Sequence, residues 1–317
     1  MYFFNIKESD CIPVNYDGLK SQNVFGSQVA QQSPTSTKPL SRAGQRRLRT
    51  EVVSGPFIRA VPDTLVEALV KYGNNPDGIP ALHAAIKSKD ENAVKLLLDW
   101  GADPNAKAPR GWGTGCDEIP TSALDFAAAF ANPNLVNLLI DRGAVINPPG
   151  NEITPLMCAA KFNNSENILC LVQRGADLYL ERAYQWNALH IAVVYDSTKA
   201  IETLISLGIS PNIANIDGMT PLMQGCYLFR VNPSLLTMET LLRMGANPNL
   251  KRPDGKSPLH FLVTNLIEEP LHCLQLAEIL IRYKADINAR DLNGKTPLFY
   301  VSDPVIQAWL IKNGATL

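Results

Sequence analysis

The stretch from Ala188-Leu189-His190 to Gly208-Ile209-Ser210-Pro211-Asn212 holds two short phrases, and both recur along the chain in step. The first returns as Ala81-Leu82-His83, Ala123-Leu124-Asp125, Pro155-Leu156-Met157, Pro221-Leu222-Met223, Pro258-Leu259-His260 and Pro297-Leu298-Phe299. Successive leucines lie 42, 32, 33, 33, 37 and 39 residues apart, a period near 33 lengthened by insertions. The second phrase returns as Gly101-Ala102-Asp103-Pro104-Asn105, Gly143-Ala144, Gly175-Ala176-Asp177, Gly245-Ala246-Asn247-Pro248-Asn249, Lys284-Ala285-Asp286-Ile287-Asn288 and Gly314-Ala315. A fixed period of this size marks stacked units, each too small to cover its own apolar face.

Local chemistry gives the unit its shape. Asn92-Ala93-Val94-Lys95-Leu96-Leu97-Leu98-Asp99-Trp100-Gly101 has helical apolar spacing and ends on a glycine able to take a left-handed cap. The Thr-Pro pairs at 154, 220 and 296 suit helix starts, since an early proline gives up no needed donor and brings its φ already fixed. Asp217-Gly218, Asp254-Gly255 and Asn293-Gly294 are tight-turn signals between units. Each unit therefore reads turn, helix, loop, helix.

Two motifs in register make the chain resemble the ankyrin repeat from about residue 62 to its end. The resemblance implies an all-α solenoid of about six full repeats with turn or hairpin fingers and capping elements. Repeats would start near residues 79, 121, 153, 186, 219, 256 and 295 of a domain covering 56–317. Residues 62–72 read as a capping helix, and Val305 to Lys312 as a helix that shortens the last repeat and closes the array. Residues 1–55 differ in character, rich in Gln, Ser, Thr and Pro and then basic at Arg42, Arg46, Arg47 and Arg49, and are expected to form a flexible tail. Arg46 to Arg49 reads either as a nuclear import signal or as a plain solvated run.

Composition narrows the function. The 317 residues are 46% hydrophobic and 19% charged with a net charge of -1, which describes a soluble folded protein with no bulk attraction to polyanions, so nucleic acid is not favoured as a partner. The opening residues are too soon followed by charge to act as a signal peptide, and no stretch approaches the roughly 18 apolar residues of a membrane span. The cytoplasm or nucleus is the expected address. Six scattered cysteines without a C-x-x-C pair point to neither a zinc site nor a disulfide framework. His83, His190 and His260 share one slot of the repeat, which by resemblance holds the turn and helix start by hydrogen bonds. His272-Cys273 is expected in a loop. The run Gly111 to Gly115 lacks the ending of a phosphate loop. No enzyme activity, cofactor, metal or small-molecule substrate is therefore expected, and the partner should be another protein.

By resemblance, partners dock on a concave face built from the fingers and first helices. Six residues beyond each anchor leucine stand Ser88, Phe130, Phe162, Tyr195, Leu228 and Asn265, a slot the family leaves exposed, with polar ends and an aromatic centre. Tyr184, Trp186 and Met219 are expected beside this stripe, and Trp112 lies on a finger lengthened by about nine residues. Trp112 reads equally as an exposed contact or as a ring folded back on its finger. Exposed aromatics in a contiguous patch mark binding surfaces, although burial between repeats would give the same sequence. Lys251, Arg252, Lys256, Arg290 and Lys295 make the C-terminal fingers basic, a rim that either steers an acidic segment or is merely solvated. The contexts of Asn288 and Asn105 resemble asparagines accepted by ankyrin-directed hydroxylases. An adaptor or scaffold is the leading reading, beside a regulatory or inhibitory subunit of an enzyme or transcription factor and a microbial or viral host-targeting effector.

Overall fold

A computed structural model describes residues 80–108, 122–150, 153–182, 186–228, 234–264 and 270–317, together with Thr64. The N-terminal tail, most of the expected capping helix, the inserted finger that carries Trp112, and Tyr184 lie outside these residues; Thr64 itself is helical.

Thirteen α-helices appear among the described residues, and they alternate as expected. The first helices are α1 (Ala81–Lys87), α3 (Ala123–Phe130), α5 (Pro155–Lys161), α7 (Ala188–Val194), α9 (Pro221–Leu228) and α11 (Pro258–Thr264). The second helices are α2 (Glu91–Asp99), α4 (Pro133–Asp141), α6 (Ser165–Gln173), α8 (Thr198–Ser206), α10 (Leu235–Arg243) and α12 (Pro270–Arg282). A short 3-10 segment, Pro297–Tyr300, stands where a seventh first helix would be, and α13 (Pro304–Lys312) closes the array. Isolated antiparallel bridges, Lys107 with Ser122 and Arg182 with Trp186, form the base of two fingers.

The helix starts are set by short polar side chains. Asp90, Ser122, Asn132, Thr154, Asn164, Asn187, Ser234 and Asp303 each accept a first-turn amide proton that has no partner within the helix. Second helices end on Gly101, Gly143, Gly175, Gly208 and Gly245 at φ between 92° and 102°, and Lys284 takes the same left-handed turn at φ 69°.

Packing follows the period. All seven anchor leucines are buried, from 0% exposure at Leu124, Leu189 and Leu259 to 4% at Leu298. First helices are covered on nearly every side, as in α3, where Ala123 through Ala129 are all buried. Second helices bury a single stripe, such as Ala93, Val94, Leu97 and Leu98 of α2. Asn167 is buried in the layer between, and its Nδ2 lies 3.1, 3.0 and 2.9 Å from the carbonyls of Ala127, Ala128 and Ala131 at the end of α3. Those carbonyls lie where a helix runs out of its own donors, so a buried amide there removes a desolvation cost.

One expectation needs correction. His272 and Cys273 are not in a loop: they lie inside α12, with Cys273 buried. The proline at 270 opens that helix instead of closing a loop, because its missing N–H is one that a first turn does not use.

Candidate functional site

The first helices bring their C-terminal ends side by side. Phe130 is the last residue of α3, Phe162 and Tyr195 cap α5 and α7, and Leu228 ends α9. The Phe126 and Phe130 ring centroids are 4.9 Å apart and those of Phe130 and Phe162 are 4.4 Å apart, tilted by 54° and 56°. Lys161 extends the row, its Nζ 5.5 Å from the centre of Phe162 and 4.4 Å from that of Tyr195. Phe126, Phe130, Phe162, Lys161 and Tyr195 thus form one continuous strip across three repeats.

Phe126 and Lys161 lie buried beneath the strip, and its outer rings are half-buried rather than open. Phe130 leans on the ring of Phe162 in the next repeat, and Lys161 bridges Phe162 to Tyr195. Phe130, Phe162, Tyr195 and Leu228 keep only part of their surface in water, whereas Ser88 at the first position of the slot is exposed. Tilted aromatic contacts of this kind stabilise beyond area burial alone. Lys161 and Phe126 were not foreseen as members; both belong to helices whose slots repeat, and the +2 and +5 positions beyond the leucine would have indicated them.

Trp186 is half-buried at the base of its finger, where its amide and carbonyl exchange 3.0 Å hydrogen bonds with Arg182. Met219 departs from expectation. Its side chain is 7% exposed and belongs to the core, its amide donates to Asn215 Oδ1 at 2.8 Å, and its carbonyl accepts from His190 Nε2 at 3.0 Å. The exposed contact read at Met219 is therefore corrected. The hydrogen-bonded Asn215 turn carries the side chain inward and leaves Ile216, at 72% exposure, on the fingertip.

The histidines do structural work. His190 spans from α7 to the next finger, and burial holds its pKa down at about 4, so the ring is neutral. His260 accepts the Ser257 amide on Nδ1 at 3.1 Å and donates from Nε2 to the Lys295 carbonyl at 3.2 Å, with its pKa also lowered by burial. Cys158, Cys170, Cys226 and Cys273 are buried free thiols, and burial raises the Cys273 thiol to about 12 and that of Cys226 further. Among the described residues no group of three His, Cys, Asp or Glu side chains is placed to hold a metal ion, and no helix is long and apolar enough to cross a membrane.

A second cluster sits at the C-terminal end of the same face. Lys295 Nζ lies 3.8 Å from the centre of the Phe299 ring and 5.9 Å from that of Tyr300, and Lys256 Nζ lies 5.0 Å from Tyr300. Arg252 stacks over Phe261 at 5.7 Å, and Tyr227 meets Phe261 edge-on at 6.4 Å. Tyr300 donates its hydroxyl to Asp291 Oδ2 at 2.5 Å, which raises the phenol to about 12. Burial alone would raise the Asp291 carboxyl; the Tyr300 hydroxyl and the Lys295 and Asn293 amides outweigh it and hold the pKa below the usual carboxylate range. The basic fingers were legible in the sequence, but their aromatic companions were not, because Phe299, Tyr300 and Phe261 fall one or two places past the leucine in a region that elsewhere holds core residues.

Between fingers runs a row of side-chain amides. Asn105, Asn147, Asn212, Asn249 and Asn288 each donate from Nδ2 to the carbonyl that ends the next repeat's second helix, at Gly143, Gly175, Gly245, Lys284 and Gly314, over 2.8 to 3.1 Å. The Oδ1 of each accepts an amide two residues further on, at Val145, Asp177, Asn247, Asp286 and Thr316. Asn105 and Asn288, read from sequence as candidates for modification, are thus also structural ties.

Comparison with known proteins agrees with this architecture. A family model described as "Ankyrin repeats (3 copies)" matches residues 124–215, and one described as "Ankyrin repeat" matches residues 77–109. The chain is 33% identical over 134 residues to the transient receptor potential channel pyrexia of Drosophila melanogaster, a match covering 42% of this chain and 13% of that one. It is 26% identical over 146 residues to the human SH3 and multiple ankyrin repeat domains protein 2, covering 46% and 8%. The chain therefore spans only a small part of these relatives. Among solved structures, the ankyrin repeat domain of Bcl-3 superposes with a TM-score of 0.58 at 22% identity, over 74% of this chain and 99% of that domain. Arrays of this kind generally serve as protein–protein interaction modules.

Proposed function

We propose that this chain, an ankyrin-repeat protein, is an adaptor or scaffold that grips a segment of another protein along the face made by its first helices and fingers. The observation that carries this reading is the row of half-buried rings Phe130, Phe162 and Tyr195 across three repeats, backed from beneath by the buried Phe126 and Lys161. Rigid rings already held by their neighbours lose little freedom on binding, which favours them as anchors. Trp186 at its finger base and Leu228 at the end of α9 extend the contact. Trp112 and Tyr184 would join it from the fingers.

The partner is a protein, with no nucleic acid, small-molecule substrate or cofactor required and no catalysis by this chain, in keeping with the near-neutral net charge of -1 and the buried, hydrogen-bonded histidines. The working compartment in this reading is the cytoplasm or nucleus. Asn105 and Asn288 are proposed modification positions, and mass spectra of native peptides lacking any added oxygen there would remove that part.

The test combines Phe162→Ala, Tyr195→Ala and Trp186→Ala in the full chain. Cross-linked partner capture should fall while the far-ultraviolet circular dichroism and melting profile persist. Unchanged capture by a folded triple variant would refute the reading.

A further inference from the structure

We infer that the cluster at the C-terminal end of the face is a docking site for an acidic segment of the partner protein, one in which carboxylates flank an aliphatic or aromatic side chain. This deepens the groove reading above and rests on it, but it concerns separate residues.

The argument begins with charge. Lys256 and Lys295 both place their ammonium groups around the ring of Tyr300, at 5.0 and 5.9 Å from its centre. A ring face attracts a cation without neutralising it, so both positive charges remain available. The acids nearby are already engaged. Asp291 accepts the Tyr300 hydroxyl on one oxygen and two backbone amides on the other. Asp254 pairs with Arg252 through Oδ2 at 3.2 Å and accepts the Lys256 amide through Oδ1 at 3.1 Å. Among the described residues no carboxylate lies within ion-pair distance of the Lys256 or Lys295 side chain.

Shape supplies the second half. Phe299 is 51% exposed directly beneath the Lys295 ammonium at 3.8 Å. An exposed ring bordered by two cations is complementary to a side chain of apolar character bordered by acids: the apolar group covers the ring, and the carboxylates meet the ammonium groups. The rings hold the lysine stems in place beforehand, so less conformational entropy is lost when the pair forms. An isolated surface lysine lacks that advantage.

The experiment uses the full chain and a fluorescein-labelled peptide of alternating glutamate and leucine, with a glutamine-for-glutamate peptide as comparison, read by fluorescence anisotropy at low salt. The glutamate peptide should bind, the glutamine peptide should not, and added salt should weaken binding. Lys256→Gln with Lys295→Gln should weaken it about tenfold. Lys199→Gln with Lys312→Gln, the same change of charge on exposed positions of α8 and α13, should leave it unchanged. Equal binding of both peptides, equal effects of the two lysine pairs, or binding only to phosphatidylserine vesicles would overturn the proposal. Melting curves report whether each variant is folded, and Phe299→Ser provides an independent variant that should weaken the peptide without altering charge. The two readings fail separately: the aromatic triple variant tests the strip through partner capture, and the lysine pair tests this cluster through the peptide.

Discussion

Asn212 reaches across a repeat boundary to Gly245, its side-chain amide 3.1 Å from the carbonyl that ends the next second helix. The same side chain accepts the Asn247 amide at 2.7 Å, so one residue satisfies two backbone groups that the helix end leaves over. Asn212→Ala is expected to cost about 1 kcal/mol, reduced from the sum of two bonds because water reaches the site. Urea unfolding measures it, and a loss no larger than that of an exposed Ser88→Ala control would remove the tie from the account of stability.

Lys284 stands at φ 69° in the slot where the other repeats place glycine. A side chain in the left-handed region is strained, so Lys284→Gly should raise stability by about 1 kcal/mol and raise the melting temperature. Asn249 donates to the backbone carbonyl of residue 284, so the substitution leaves that bond in place. A fall in melting temperature would show that the lysine side chain contributes more than the strain it causes.

The pH dependence follows from His190. Its pKa in the folded chain is lowered from 6.5 to about 4, chiefly by burial. Between those values the unfolded chain takes up a proton that the folded chain refuses, so stability rises with pH across this window and is fully present above about 6.5. Acidification from pH 7 to pH 4 should therefore cost up to about 3 kcal/mol from this group. Denaturant titrations at several pH values test it, and a His190→Gln variant with an equally steep slope would assign the effect elsewhere.

Buried thiols give a fourth test. Cys226 and Cys273 are 1% exposed and their pKa values are raised by burial, so neither offers a thiolate at neutral pH. Both should react with a thiol-directed reagent only as the chain unfolds. Labelling of either in the native state at the rate of a free thiol would contradict the packing described for α9 and α12.

The reach of the sequence can be judged from particular residues. Leu189 and its equivalents announce the stack because burying a side chain at a fixed interval leaves a periodic trace, and the left-handed turns announce themselves through glycine. Met219 misled because a residue beside a turn is assigned to solvent by default, whereas here Asn215 fixes the turn and rotates the side chain inward. The cluster of Lys256, Lys295, Phe299 and Tyr300 was half visible: cations are conspicuous, but whether a neighbouring ring faces the core or the water depends on the shortened seventh repeat, where a 3-10 segment replaces a full helix. The asparagine row was visible as a motif without its meaning, since its partners lie 26 to 40 residues away.

That row is interrupted once. At the place of an asparagine stands Tyr179, which makes one hydroxyl bond of 3.3 Å to Gly208 where the others make two amide bonds. The ion pairs that tie second helices together, Arg142 to Asp99, Arg174 to Asp141, Arg243 to Glu202 and Arg282 to Glu239, pass over the same boundary: among the described residues none joins α6 to α8. Buried contacts still join the two sides, but the surface stitching is thinnest there. A spring wound with one slack coil yields at that coil, so a pull on the array is expected to open it first between the third and fourth repeats, where Phe162 stands on one side and Tyr195 on the other.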